Sequence, residues 1–152
     1  MAGQKRAFTL IEVILVVLFL GIVAAIAIPR LSLSVSSKQK ADCLAKKIVT
    51  DLRRTRGLAI SNAAVNTAGF KLVMVGSPYT SYNIVDANSS ETVDSHTIDS
   101  AVDCAGGNEF EFGPLGNLLS ESDTQLVISV DEKTLFTIDI TLATGMVKCT
   151  ED

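Results

Sequence analysis

Tryptophan is absent from this chain, histidine occurs once, and aromatic residues make up only 5% of its 152 positions. With His96 as the single histidine, a His-rich metal centre cannot be assembled and a histidine-based triad has one candidate base. Three prolines and ten glycines exclude a collagen-like or low-complexity chain. The two marks of disorder, low hydrophobicity and high net charge, are both missing: 47% of residues are hydrophobic and the net charge is −4. An acidic pI near 4.9 weighs against a general nucleic-acid binder. The length suits one ordinary domain and is too short for two. The mean hydropathy of +0.36 is high for such a domain, so apolar residues must be concentrated somewhere.

They are concentrated near the N-terminus. Val13 to Ile28 contains no charged or polar side chain, and Phe8-Thr9-Leu10-Ile11 precedes it across a single Glu12. From Phe8 to Ile28 a helix would span about 31 Å, the thickness of a bilayer core. Lys5 and Arg6 in front of it place the N-terminus on the cytoplasmic side and everything after Pro29 outside the inner membrane. A cleavable secretory signal has a shorter apolar core and a small-residue site behind it, which Ile28-Pro29-Arg30-Leu31-Ser32 does not supply. A plain signal anchor fits the length but leaves Glu12 unexplained, and a carboxylate inside a membrane segment is costly enough to imply a function.

The stretch Lys5-Arg6-Ala7-Phe8-Thr9-Leu10-Ile11-Glu12-Val13 resembles the processing site of type IV prepilins and pseudopilins. The resemblance implies that residues 1–7 are a leader, cut between Ala7 and Phe8 by a prepilin peptidase that then methylates the new amine of Phe8. Ala7 departs from the glycine usual before the cut but keeps a small residue there. The resemblance also implies a membrane and filament-core helix over residues 8–28, a kink at Pro29, and pairing of Glu12 with the Phe8 amine of a neighbouring subunit. The chemistry is consistent, because a carboxylate withdrawn from water needs a cationic partner or stays protonated. Such a pair would set the register of stacked helices.

Beyond Pro29 the pattern becomes amphipathic. Leu44, Ile48, Leu52 and Ala59 recur at helical spacing, with Ala41 and Thr55 completing the stripe, and this predicts a spine helix within residues 29–64. Residues 65–152 read as a β-rich head. Phe70, Leu72 and Met74 alternate with their neighbours, Tyr79 to Val85 and Glu109 to Phe112 follow, and Gly113 to Asn117 is a turn. Gln125 to Val130 and Leu135 to Leu142 are expected to pair across Asp131 to Thr134, with a last strand from Met146 to Cys149. The polar stretch 86–107 reads as a long loop with weak strands or none. The expected class is α+β, a long N-terminal spine helix on a small antiparallel sheet. Leu52 to Ile60, Phe112-Gly113-Pro114-Leu115-Gly116, and Ile138 to Val147 with its Gly145 turn resemble parts of the GspH/FimT-like pilins.

No catalytic constellation is expected. His96 lies in the polar stretch and reads as a solvated side chain. Asp94, Asp99, Asp103, Glu109 and Glu111 crowd the same region; they read as a solvated acidic loop, and no metal or other cofactor is expected, although calcium takes oxygen ligands of this kind. Charge is uneven: Arg30 to Arg56 carries a net +6 and Gly57 to Asp152 a net −11. Two readings are open: a solvated basic face near an anionic membrane or acidic neighbours, or a basic helix of one subunit that meets the acidic head of another. Cys43, Cys104 and Cys149 would face an oxidising periplasm. Three pairings are open, and Cys104 with Cys149 is the favoured bridge, since both lie in the β-rich part.

The resemblance implies a minor pseudopilin, a structural and non-enzymatic subunit of the filament that drives type II secretion. It would sit in the inner membrane by one span with its head in the periplasm. Its partners would be sister pseudopilins or pilins, the prepilin peptidase, the inner-membrane assembly platform, and lipid before extraction. The alternatives are a minor type IV pilin priming pilus assembly, a major pilin, and a FimT-like DNA-uptake module. The last needs a basic binding patch, whereas this head is acidic, so nucleic acid is not an expected partner.

Overall fold

A computed structural model describes residues 9–27 and 33–152. Ala7, Phe8, Pro29 and Arg30, which carry the expected processing site and kink, lie outside the described residues. The chain divides into two units, one ending at Val35 and one running from Ser36 to Asp152.

In the first unit, helix α1 covers Leu10–Ala27. It is apolar all round, and every large apolar side chain from Leu10 to Val23 is at least 47% exposed. A helix without a polar face cannot settle on the surface of a globular protein. Its 18 residues rise about 27 Å, a little less than the roughly 30 Å of a hydrocarbon core. Among the described residues, no helix is long and apolar enough to cross a membrane. The expected span of 8–28 extends past the described helix at both ends.

Helix α2 covers Leu33–Ser61, and the second unit is built on it from Ser36 onward. The stripe read from the sequence is the buried one: Ala41, Ile48, Leu52, Thr55 and Ala59 are fully buried and Leu44 nearly so, joined by Ala45 and Val49. Gly57 does not end the helix.

The head has two four-stranded antiparallel sheets instead of the one expected. The first has the order β3-β2-β1-β5, with β1 at Phe70–Gly76, β2 at Tyr79–Asp86, β3 at Thr92–Thr97 and β5 at Glu109–Phe112. The second has the order β4-β6-β7-β8, with β4 at Asp103–Gly106, β6 at Gln125–Val130, β7 at Lys133–Ile140 and β8 at Val147–Glu151. Alternate residues of both sheets face one core that includes α2: Leu72, Met74, Tyr82, Phe110 and Phe112 from the first, and Leu126, Ile128, Ile138 and Val147 from the second.

The expected loop over 86–107 is thus corrected: it contains β3 and β4. Strand β3 shows no apolar alternation because the residues it turns inward are Asp94 and His96, which meet polar side chains on α2. Strand β4 has only four residues, too few to show a period. The β6–β7 connection is also tighter than expected. Val130 pairs with Lys133, leaving a two-residue turn of Asp131 and Glu132, both at positive φ (51° and 64°).

Candidate functional site

Two regions gather the residues singled out in the sequence. The first is the start of α1. Thr9 precedes the helix, and the backbone N–H of Glu12 donates to the Thr9 carbonyl at 3.0 Å and to its hydroxyl at 3.3 Å. This is the side-chain cap of a helix N-terminus, with an acid at the third helical position. Glu12 therefore has a local role in addition to the expected one: its carboxylate lies in the first turn, where the helix dipole favours negative charge. The Thr9-x-x-Glu12 spacing was the available signal for this cap.

The second region is the surface of α2 against the head. Every described basic residue from Lys38 to Arg56 has a partner in its own chain. Lys40, Lys47 and Arg54 recur every seven residues and so share one side of the helix. They reach Asp99 at 2.9 Å, His96 Nδ1 at 3.0 Å and Asp94 at 2.5 Å. Elsewhere on α2, Lys38 pairs with Glu151 at 3.5 Å, Lys46 with Asp42 at 2.7 Å, and Arg53 donates to the Val147 carbonyl at 3.3 Å. Arg56 donates through Nε to the Gly116 carbonyl at 2.9 Å. The basic helix thus meets acids of the head within one chain through Lys38, Lys40 and Arg54.

His96 is corrected as well. Its side chain is 20% exposed, and Nε2 lies 3.5 Å from both Asp51 Oδ2 and Asp94 Oδ2. An ammonium only donates, so Nδ1 accepts from Lys47 and the ring proton belongs on Nε2, facing the two carboxylates. Beneath it, the Tyr82 hydroxyl donates to Asp51 at 2.6 Å. Burial and the Asp51 carboxylate both push the Tyr82 phenol upward, so it remains a donor. Asp51 is buried, on the polar flank of the helix stripe.

The three stretches quoted for the head resemblance meet at one place. Arg56 from the end of α2 reaches the Gly113–Gly116 turn, and the Leu118 N–H donates to Leu142 O at 3.0 Å, just before the turn that leads to β8. Gly116 and Gly145 both have positive φ (77° and 60°). A side chain on Gly116 would press on Ile60, and one on Gly145 would overlap the Gly116 carbonyl oxygen. Close approach of backbone to backbone thus requires glycine here. Ile60, Leu115, Leu142 and Met146 stand exposed in these segments.

The acidic residues singled out in the sequence are spread over separate partners. Asp94 and Asp99 pair with α2, Glu109 pairs with Lys71 at 2.9 Å, and Asp103 belongs to the other sheet. Among the described residues, no three His, Cys, Asp or Glu side chains converge to hold a metal ion. The expected Cys104–Cys149 bridge is not formed; all three thiols are free. β4 and β8 are the opposite edges of one sheet, three strand spacings or about 14 Å apart, and a disulfide needs Cα atoms within about 7 Å. Burial, followed by Asp103, pushes the Cys104 thiol up to about 11, so it stays a neutral thiol at neutral pH.

An open cleft of about 440 Å³ lies between the β1–β2 turn and the edge of β4, with Pro78, Tyr79, Cys104 and Asn108 in its wall. It brings no carboxylate or imidazole together. Comparison with protein-family models, with curated proteins and with solved structures finds no match to this chain.

Proposed function

We propose that this chain is a minor pseudopilin, a non-enzymatic subunit of a periplasmic filament that works in type II secretion. The observation that carries the reading is α1, a helix apolar on every described side except for one carboxylate in its first turn. Such a surface needs lipid or other apolar helices around it, and a subunit that passes from membrane to filament core meets both in turn. Glu12 then pairs with a cationic amine at Phe8 of the next subunit and sets its register. The head on α2 is the part that stays in water.

The partners on this reading are sister pseudopilins or pilins, a prepilin peptidase, the inner-membrane assembly platform and lipid. A minor pilin that primes a type IV pilus uses the same surfaces, and genes for a secretion ATPase and secretin beside this one would favour secretion. The charge pattern weighs against a DNA-uptake module, because the seven described cations of the spine are engaged by the chain itself.

The test is the mass of the N-terminal peptide from membranes of cells with an active prepilin peptidase. The expected peptide begins at methylated Phe8. A chain that keeps residues 1–7 in such cells would refute the reading. Glu12→Gln keeps a third-position helix residue and removes the charge, so it should leave membrane insertion intact and abolish assembly. Normal assembly of Glu12→Gln would remove the register role.

A further inference from the structure

We propose that β3 is an electrostatic strap, held against α2 by charge instead of apolar packing, which opens from the helix while the rest of the head stays folded. Three observations converge. First, β3 is an edge strand, paired on one side only, with β2. Second, its inward residues are Asp94 and His96, and none of its six residues is buried, whereas β6 buries Leu126, Ile128 and Val130. Third, the side chains that join β3 and the turn after it to α2 form a ladder of three rungs at heptad spacing: Lys40–Asp99, Lys47–His96 and Arg54–Asp94.

The outer rungs are open to water on at least one partner, while His96 of the middle rung is 20% exposed. Lys40 and Asp99 are each 46% exposed, and Arg54 is 48% exposed. Exposed ion pairs are individually weak and are screened by salt. A segment with few buried apolar contacts has a low local opening energy. While closed, the strap occupies the cations of one face of α2 and covers the Asp51–Tyr82 pair. An acidic neighbour could reach that face only after the strap opens, so the closed form acts as an internal competitor.

Acid should open it as well. The hydrogen bond from Arg54 holds the Asp94 carboxyl below its usual range, and the one from Lys40 does the same for Asp99. A carboxylate depressed in the folded state stabilises it above the ordinary carboxylate pKa of about 3.9 and loses that contribution as pH falls. The groups facing the ladder are Lys40, Lys47, Asp51 and Arg54 on α2, Tyr82 on β2, and Asp94, His96 and Asp99 on the strap side.

Hydrogen exchange of the full chain in detergent micelles tests this directly, and the result does not depend on the filament reading. Between about 0.05 M and about 1 M salt, amides 92–97 should exchange about threefold faster or more, with those of β6 unchanged. Salt-independent protection of β3, or acceleration of β3 and β6 in parallel, would overturn the proposal. The double variant Lys40→Gln/Arg54→Gln should show fast β3 exchange at both salt levels. Retained protection in that variant would show that the ladder does not hold the strand.

Discussion

Asn66 joins the end of α2 to the first strand through four hydrogen bonds. Its side-chain oxygen accepts from the N–H groups of Ala68 and Gly69, and its side-chain nitrogen donates to the Gly69 carbonyl and to Asp86. The residue is buried, so no water would replace these partners. Asn66→Ala should cost about 2–3 kcal/mol, because several buried polar groups lose their partner together. Urea unfolding would measure this, and a loss below about 0.5 kcal/mol would mean that the turn reorganises around the change. Nothing near Asn66 in the sequence distinguishes it from any loop asparagine, since its partners come from residues 68 and 69 and, across the fold, residue 86. Glu12 and Thr9 are the opposite case, because a three-residue spacing contains the whole cap.

At the scale of elements, α2 was legible because its stripe of Leu, Ile and Ala repeats for about five turns and is set by one buried side. Strands β1, β6 and β7 were legible for the analogous reason at period two. Strand β3 was not, because its inward residues, Asp94 and His96, meet polar and charged side chains on α2, and charge carries no apolar period. The β6–β7 turn was misjudged because Asp131 and Glu132 adopt positive φ without the Asn-Gly pair that marks such turns. Glutamate at positive φ is strained, so Glu132→Gly should stabilise the head by about 1 kcal/mol. A higher thermal midpoint with an unchanged denaturant slope is the expected result; a lower midpoint would mean that the Glu132 side chain has a stabilising role of its own.

At the scale of the molecule, α2 is a beam whose described cations all find partners inside the chain. Cations along α2 reach both sheets: Lys40, Lys47 and Arg54 toward the first sheet's edge and the turn after it, Lys38 and Arg53 toward β8. The far end of the beam is tied by Arg56 to the two glycine turns. Gly145→Ala should be among the costliest small substitutions, about 2 kcal/mol or more, since it combines positive φ with a backbone clash. The expected signature is β8 losing exchange protection more than β1 does; equal loss in both would mean that the junction does not act on β8 separately.

What the sequence determined by itself was whatever depends on neighbours along the chain: the apolar helix near the N-terminus, the buried stripe of α2, the main strands, and the α+β class. Local period and composition are enough for these, because each element presents one face to a core regardless of what lies opposite. The tertiary structure alone decided what depends on distant partners. It split the strands into two sheets, set Cys104 and Cys149 on opposite edges of one of them, drew His96 in between Asp51 and Asp94, and gave the spine's described cations acids, an imidazole and carbonyls of the same chain as partners. Charge and thiol chemistry act over a few ångströms, so their outcome follows from which residues the fold brings within that range, and linear spacing does not contain it.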